Sequence, residues 1–309
     1  MHIGLLVIPQ FGLLGLGAVM EVLYQFSKRL PENQLTWEIV TADKRAVTAS
    51  SGAAIQPGCT IDADVNYHSI IVFGAQGAWE YSDNRVFNWL RFHASRGTRF
   101  GTVMSGAWVL AKAGLLNGFR CSVHWQDIEA FKEVYPLVKI SSDIYSIDDQ
   151  RFSCSGGHVA SDMTLHLLSQ WFDQDIVTEV REVLLHERLR DPGESQRFSL
   201  DKRLATSNPY LLQFVEKLES STDNPLQVEQ ICAEIGLSQR RIEQLFQQHF
   251  NKTPKQYQLE WRLTRARDLL VATTLPVREI ALITGFDNLG HFSTAFGKLF
   301  KMPPSSVRK

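Results

Sequence analysis

The stretch LQVEQICAEIGLSQRRIEQLF, from Leu226 to Phe246, is written a second time between Leu275 and Phe296. Leu226, Val228, Ile231 and Gly236 recur 49 residues later as Leu275, Val277, Ile280 and Gly285. Past the glycine the offset becomes 50, so Phe246 and Phe250 recur as Phe296 and Phe300. Each copy is a short apolar-periodic helix, a glycine turn and a second apolar-periodic helix. That is the helix-turn-helix pattern, whose second helix enters a DNA major groove. Two copies in tandem point to a DNA-binding module.

The pattern also sorts the side chains. In the second helix of the first copy, Ser238 is the expected N-cap, and Ile242, Leu245, Phe246 and Phe250 face the core. Gln239, Arg240, Arg241 and Gln244 are left on the outer side. Arg donates two hydrogen bonds to guanine O6 and N7, and Gln pairs with adenine N6 and N7. In the second copy Phe292, Phe296 and Phe300 are the anchor, leaving Asn288, His291, Thr294 and Lys298 as polar candidates and a helix-disfavouring Gly290. The first copy is therefore expected to discriminate bases and the second to hold the DNA backbone. Thr253 and Pro254 open a long helix to about Ala272, with Leu259, Leu263, Ala266 and Leu270 on one face. It joins the two copies, and its Arg262 and Arg265 are expected phosphate contacts. Any single Arg or Gln could equally be solvated helix surface. The joint recurrence of lengths, glycines and anchors is what weighs for the module.

Residues 208–309 resemble the AraC/XylS DNA-binding domain. The resemblance rests on ICAEIGLS from Ile231, RARDLL from Arg265, ITGF ending at Phe286, HFSTAF from His291, and Pro303 or Pro304 near the end. It implies a two-unit reader placing its helices in successive major grooves of one DNA face, about 34 Å apart.

At 309 residues the chain is expected to form two domains, and 44% hydrophobic residues allow each a core. No stretch reaches the roughly 18 uninterrupted apolar residues of a membrane span. The apolar start, Met1 to Pro9, lacks a basic n-region and reads as a buried strand, not a signal peptide. Cys59, Cys121, Cys154 and Cys232 form no CxxC pair, which suits reduced thiols in a cytoplasmic protein. No cofactor or metal is expected. The net charge of −1 argues against a strongly basic nucleic-acid binder, but the charges are unevenly placed. Residues 205–309 hold 13 Lys and Arg against 10 Asp and Glu, whereas residues 1–204 hold 19 against 23.

The first 190 residues alternate strands and helices. Ile3–Ile8, Trp37–Thr41, Ser69–Phe73 and Arg99–Val103 read as strands. Leu13–Lys28, Asp83–Ser95, Gly106–Ala113 and Ala160–Phe172 read as helices. Val86, Phe87, Leu90 and His93 share one face of the second of these. Two further short strands are expected around Asp148 and Asp149. This is an α/β domain with a mostly parallel, flavodoxin-like sheet and helices on both faces, preceding an all-α domain. Asp191–Ser207 carries turn chemistry and reads as the linker, and a support helix with Leu211, Leu212, Val215 and Leu218 follows.

The strand ending at Val103 runs into Met104, Ser105 and Gly106 and then a helix. A strand turning sharply into a helix is the geometry that presents a nucleophile in α/β hydrolases, and the helix start offers N–H groups to an anion. His124 and Trp125 follow twenty residues on, Glu21 lies on the first helix, and the loop Phe73–Gly77, with Gly74, can face the elbow. The domain resembles the ThiJ/PfpI, class I glutamine-amidotransferase-like fold. The whole chain resembles the GlxA-type AraC-family regulators, which join that fold to the AraC module. Supporting strings are Val19–Leu23, Ala111–Leu116, Ser122–Trp125 and CSGG from Cys154 ahead of Asp162. The enzymes of the fold place Cys where this chain has Met104, and a thioether is no thiolate nucleophile. Ser105 stands one residue off the elbow.

The reading is a binding site derived from a catalytic one, with Glu21 for a cation, the amides of Met104–Gly106 for a carboxylate, and Trp108 or Trp125 as a cation–π face. That suits an amino acid or a betaine. The resemblance agrees, since members of the group respond to arginine and to methylated amines. Against this, either Trp can be core, His124 a hydrogen-bonded buried histidine, and Glu21 a surface residue; Cys121 and Cys154 suit packing, and His158 and Asp162 suit support of the last helix. The expected function is a sequence-specific, ligand-responsive transcription regulator, an activator of a catabolic operon. Its partners would be double-stranded DNA, a small effector, RNA polymerase and a second copy of the chain, with no membrane. The competing readings are a ThiJ/PfpI-type hydrolase or amidotransferase fused to a DNA-binding module, and a constitutive DNA-binding protein whose first domain only dimerises.

Overall fold

A computed structural model describes residues 1–75, 77–221 and 226–307 of the chain. Gln76, within the loop expected opposite the elbow, lies outside the described residues. The chain divides into two compact units, Met1–Gln196 and Arg197–Lys309.

The strands of the first unit are β1 (His2–Val7), β2 (Thr36–Thr41), β3 (Val47–Thr48), β4 (Ala54–Ile55), β5 (Cys59–Thr60), β6 (Ser69–Phe73), β7 (Arg99–Val103), β8 (Arg120–Ser122), β9 (Lys139–Ser141), β10 (Tyr145–Ile147) and β11 (Arg151–Cys154). Its helices are α1 (Leu13–Ser27), α2 (Asn84–Ser95), α3 (Gly106–Lys112), α4 (Ile128–Val134), α5 (Val159–Ser169) and α6 (Gln174–Val183). Among the described residues one sheet runs β10-β11-β7-β6-β1-β2-β5. All its pairs are parallel except β10 with β11. The chain leaves β1 for β2 on one side and later returns as β6 on the other, so the strand order reverses at β1. In open α/β sheets the crevice beyond the carboxyl ends at such a reversal is where ligands bind.

Strands covered on both faces must be apolar throughout, and β1 and β6 are. Ile3, Leu5, Val7, Ile71, Phe73 and Val103 join one cluster with Leu16, Val19, Leu23 and Phe26 of α1 and Met163 and Leu167 of α5. The alternate residues Leu6, Ile70 and Val72 are equally buried and turn the other way, where α3 packs on β6 and β7 and α2 packs on α3. His93 is buried on α2 as its spacing implies, and Asp83 caps that helix by accepting from Arg85 N. Fully burying each such Leu, Val or Phe contributes about 1.5–3 kcal/mol.

Residues 191–207 are not a free tether. Ile144 N donates to Pro192 O at 3.0 Å, and Gln196 Nε2 donates to Val123 O and Asp143 O, holding this end to the first unit. The preceding tail is clamped by Asp162, fully buried in α5, which accepts from Arg190 Nη2 at 2.6 Å and bonds His186 Nε2 at 2.9 Å. The other end folds with the second unit. It forms α7 (Leu200–Leu204), whose Leu200 and Leu204 pack on that unit's core and whose Arg203 pairs with Glu219. A turn-rich stretch with only a few apolar residues reads as a loop, and the contacts that fix it are long-range.

The second unit continues with α8 (Pro209–Ser220), α9 (Val228–Glu234), α10 (Gln239–Phe250), α11 (Pro254–Ala272), α12 (Val277–Ile283) and α13 (Leu289–Phe300). Asn208 caps α8 through its side chain. Thr253 and Gln256 form a capping box around Pro254 at the start of α11. Leu211, Phe214, Val215 and Leu218 of α8 meet Ile231, Ile242, Leu245 and Phe246 in one core. Among the described residues no helix is long and apolar enough to cross a membrane.

Candidate nucleic-acid interface and elbow

The repeat is a repeat of backbone devices. α9 ends in Gly236 at φ 70° and α12 in Gly285 at φ 81°. Leu237 N donates to Cys232 O at 3.0 Å, and Phe286 N to Ala281 O at 2.8 Å, which is the same six-to-one closure past each glycine. Ser238 then caps α10 by accepting from Arg241 N at 3.3 Å, and Asn288 caps α13 by accepting from His291 N at 2.9 Å. Ser238 lies two residues past its glycine and Asn288 three, so the extra residue in the second copy sits inside the turn and leaves both helices whole. The two second helices also end alike, in left-handed residues Asn251 and Lys301.

Phe246, Phe292 and Phe296 are buried, which turns the opposite faces outward. Arg240, Arg241 and Gln244 are exposed on α10, and His291, Thr294 and Lys298 on α13. Gln239 is half-buried and donates to Glu243 at 3.0 Å, so it is less free than its spacing implies. Ser238 and Asn288 spend their side chains on helix starts. Leu289, 43% exposed at the first position of α13, is an apolar group off the anchor stripe that the sequence reading did not single out. Its departure from the apolar period was the available signal.

Arg262 has a role that its spacing does not show. Its Nε donates to Thr284 O at 2.7 Å and its guanidinium lies 4.2 Å from the Phe286 ring centre, so it staples α11 to the turn after α12. Burial lowers its pKa, Asp287 opposing. Arg265 is half-buried on the same helix.

In the first unit the elbow is built but filled. Met104 sits at φ 54°, a left-handed backbone that a non-glycine residue adopts at a cost. The close approach around it needs glycine: a Cβ on Gly106 would lie 2.1 Å from Val72 O, and one on Gly74 would lie 2.7 Å from Gly106 N. The Met104 side chain occupies the space beside the elbow, since a Cβ on Gly12 would meet its Sδ at 2.6 Å and one on Gly156 its Cγ at 2.1 Å. Ser105 Oγ donates to Asp127 Oδ2 at 2.8 Å, and Trp108 Nε1 donates to the same oxygen at 3.3 Å. Burial raises the Asp127 pKa, against those two hydrogen bonds and His124. Burial lowers the His124 pKa, with Asp127 opposing.

The elbow therefore brings Gly74, Met104 and Ser105 together at the turn, and Ser105, Trp108 and His124 around Asp127, which the motif reading did not single out. A lone Asp after His-Trp carries no periodic signal. Trp125 is exposed at the edge, its ring 5.5 Å from His124. Trp108 is core, edge-on to Phe131 and Tyr135, so it cannot serve as a cation–π cage. Glu21 is on the exposed face of α1, accepting from Gln25 at 3.0 Å, while Gly12 at the N-cap and Gly15 lie close to Met104 and Val103 of the elbow strand. Burial pushes the Cys121 and Cys154 thiols up to about 12, which keeps both protonated as packing groups.

A DJ-1/PfpI family model matches residues 6–168, and a helix-turn-helix domain model matches residues 231–309. The transcriptional regulator GbdR of Pseudomonas aeruginosa is 33% identical over 99% of this chain and 84% of its own. The transcriptional regulator GlxA of Rhizobium meliloti is 30% identical over 100% of this chain and 95% of its own. An AraC family transcriptional regulator from Pseudomonas putida superposes with a TM-score of 0.55 at 20% identity, covering 59% of this chain and 98% of that one.

Proposed function

We infer, for a chain that belongs to the DJ-1/PfpI family and to the helix-turn-helix transcriptional regulators that include GbdR and GlxA, that its first unit senses a small solute and its second reads an operator. Regulation of transcription is the shared property of the relatives. The finer reading is carried by one observation: two helix-turn-helix units with matched glycine closures and caps hold Arg240, Arg241 and Gln244 outward on one helix and His291, Thr294 and Lys298 on the other. Such side chains at a helix start reach base edges and phosphates. α10 supplies the discriminating contacts. α13 supplies mainly backbone contacts, and Leu289 adds a single apolar base contact, to a thymine methyl.

The elbow favours sensing over catalysis. Met104 offers neither a dissociable proton nor free space, and the Ser105 hydroxyl is engaged by Asp127. The solute is of the amino-acid or methylated-amine kind that the resemblance implies. A homodimer through the first unit suits two-fold operators, with RNA polymerase as the partner at the promoter. The solute acts only through different affinities for the DNA-competent and incompetent states. Mobility-shift titration with operator DNA at several salt concentrations, with and without amino acids and betaines, tests this. A DNA affinity independent of sequence and of every solute would refute it.

A further inference from the structure

Beyond the carboxyl ends of β1, β2 and β6, where the strand order reverses, the first unit has an open cavity of about 460 Å³. Small-molecule pockets run from about 300 to 1,000 Å³. Its polar lining includes Gln10, Asp43, Arg45, Tyr81, Asp83 and Arg85. Gln10, like Met104 at the elbow, stands in the left-handed region, at φ 62°, and its N–H is held by Thr48 O at 2.9 Å. Strained backbone of this kind concentrates at ligand clamps.

The charges form two unequal pairs. Asp83 accepts from Arg85 Nε at 3.2 Å and Nη2 at 2.7 Å, which engages one edge of the guanidinium and leaves its Nη1 edge turned away from that carboxylate. Asp43 is only loosely matched: its Oδ2 is 3.9 Å from Arg45 Nε, and its Oδ1 accepts from Arg45 N at 2.9 Å. The Arg45 side chain is 89% exposed, so its head is free to turn inward. A cavity with two carboxylates and two guanidiniums is electrically balanced. A bare cation gains from the carboxylates and is repelled by the guanidiniums, and a bare anion the reverse, whereas a solute with both charges gains from both sets. Val7 and Val47 supply an apolar wall, and the Tyr81 phenol, its pKa raised by burial and by Asp83, remains a neutral donor. Lys112 of α3 donates to the Trp79 and Tyr81 carbonyls, linking this wall to the elbow helix.

We propose that this cavity, and not the elbow, is the solute site of the first unit, and that it takes a small zwitterion with its carboxylate toward Arg85 and Arg45 and its cationic group toward Asp43. The proposal rests on the reading of the chain as a solute-responsive regulator.

The test is calorimetric titration of the full chain with the standard amino acids and glycine betaine, beside choline and agmatine as cations and propionate as an anion. At least one zwitterion is expected to bind and the single-charge probes to bind at least tenfold more weakly. Asp43→Asn, Arg45→Ala and Arg85→Gln should each weaken the zwitterion about tenfold or more, as loss of a charged hydrogen bond does. Arg45→Ala touches no packing, so its effect is free of folding losses. Undiminished binding in all three variants, binding lost only in Ser105→Ala or His124→Ala, equal binding of a single-charge probe, or no zwitterion bound would each overturn the proposal. DNA affinity measured on the same samples separates the two claims. A response to a non-zwitterionic metabolite would sink this site and leave solute-responsive regulation standing, while bound zwitterion with unaltered DNA affinity would sink the regulatory reading instead.

Discussion

Arg262 Nε donates to the Thr284 carbonyl at 2.7 Å, tying the middle of α11 to the residue that ends α12. The bond satisfies a carbonyl at a helix end and fixes the second helix-turn-helix unit to the helix that joins it to the first. Arg262→Ala should therefore destabilise the second unit by about 2 kcal/mol, from a lost charged hydrogen bond and the stacking on Phe286. Lysine should not restore it, because a point charge lacks the planar fork. Thermal unfolding measures the loss, and the salt dependence of DNA binding gives the contrast. A log–log slope shallower by about 0.9 with unchanged stability would make Arg262 a phosphate contact after all.

The turn glycines separate conformation from packing. A Cβ on Gly236 would meet nothing within 4 Å, so Gly236→Ala isolates the cost of the left-handed backbone, about 1–2 kcal/mol. Gly236→Asn should recover part of it, since Asn tolerates that region. Equal stability of all three proteins in chemical denaturation would show that the turn does not hold position 236 in the left-handed region.

The elbow glycines fail for the opposite reason. Gly106→Ala drives a methyl to 2.1 Å from the Val72 carbonyl and should cost about 3 kcal/mol or more in stability of the first unit. Met104→Cys should fold, because the new side chain is smaller than the one it replaces. Hydrolase assays with ester and amide substrates should find no turnover by the wild-type chain; robust wild-type turnover would restore the enzymatic reading.

Three histidines contribute to the acid response near neutral pH. Burial lowers the pKa of His68, with Arg99 adding to it; burial lowers that of His93, with Arg96 adding; and burial lowers that of His124. A depressed pKa means that the unfolded chain takes up protons near pH 6.5 that the fold refuses. Stability from these groups is full above pH 6.5 and is lost as pH falls through the lower folded values. Fully buried His93 sits against Tyr67 and Trp89, and His93→Gln should flatten the acid slope by up to about 1.4 kcal/mol per pH unit. Unfolding midpoints between pH 7.5 and 5 would show it; an unchanged slope would mean that His93 titrates normally.

How much of this was readable in the chain follows the range of the forces involved. The helix-turn-helix units were legible because period, glycine and cap are local, and Gly236, Ser238 and the phenylalanine anchors do what their spacing implies. β1, β6 and β7 were legible as apolar runs bounded by turns. β5, β8 and β9 were not, because strands of two or three residues have no period to read. The site was legible only in part. Met104, Ser105 and His124 are gathered by strand order, but the Asp127 carboxylate joins them through a tertiary contact with no sequence mark, and Glu21 departs because helical phase turns it to solvent. The Arg262–Thr284 bond was not legible for a related reason: an arginine on a DNA-binding helix looks the same in sequence whether it reaches a phosphate or a carbonyl.

The most direct test of the account is selection of binding sites from a pool of random duplexes by the purified chain, repeated with Arg240→Ala. Recovered sites should carry one strongly constrained tract, read by α10, and a weakly constrained one about 10 base pairs away, beneath α13, and the variant should relax one position in the strong tract at a cost of about 1–3 kcal/mol there. Recovery of unselected sequence by the wild-type chain, or equal weakening by the variant on every sequence, would contradict it.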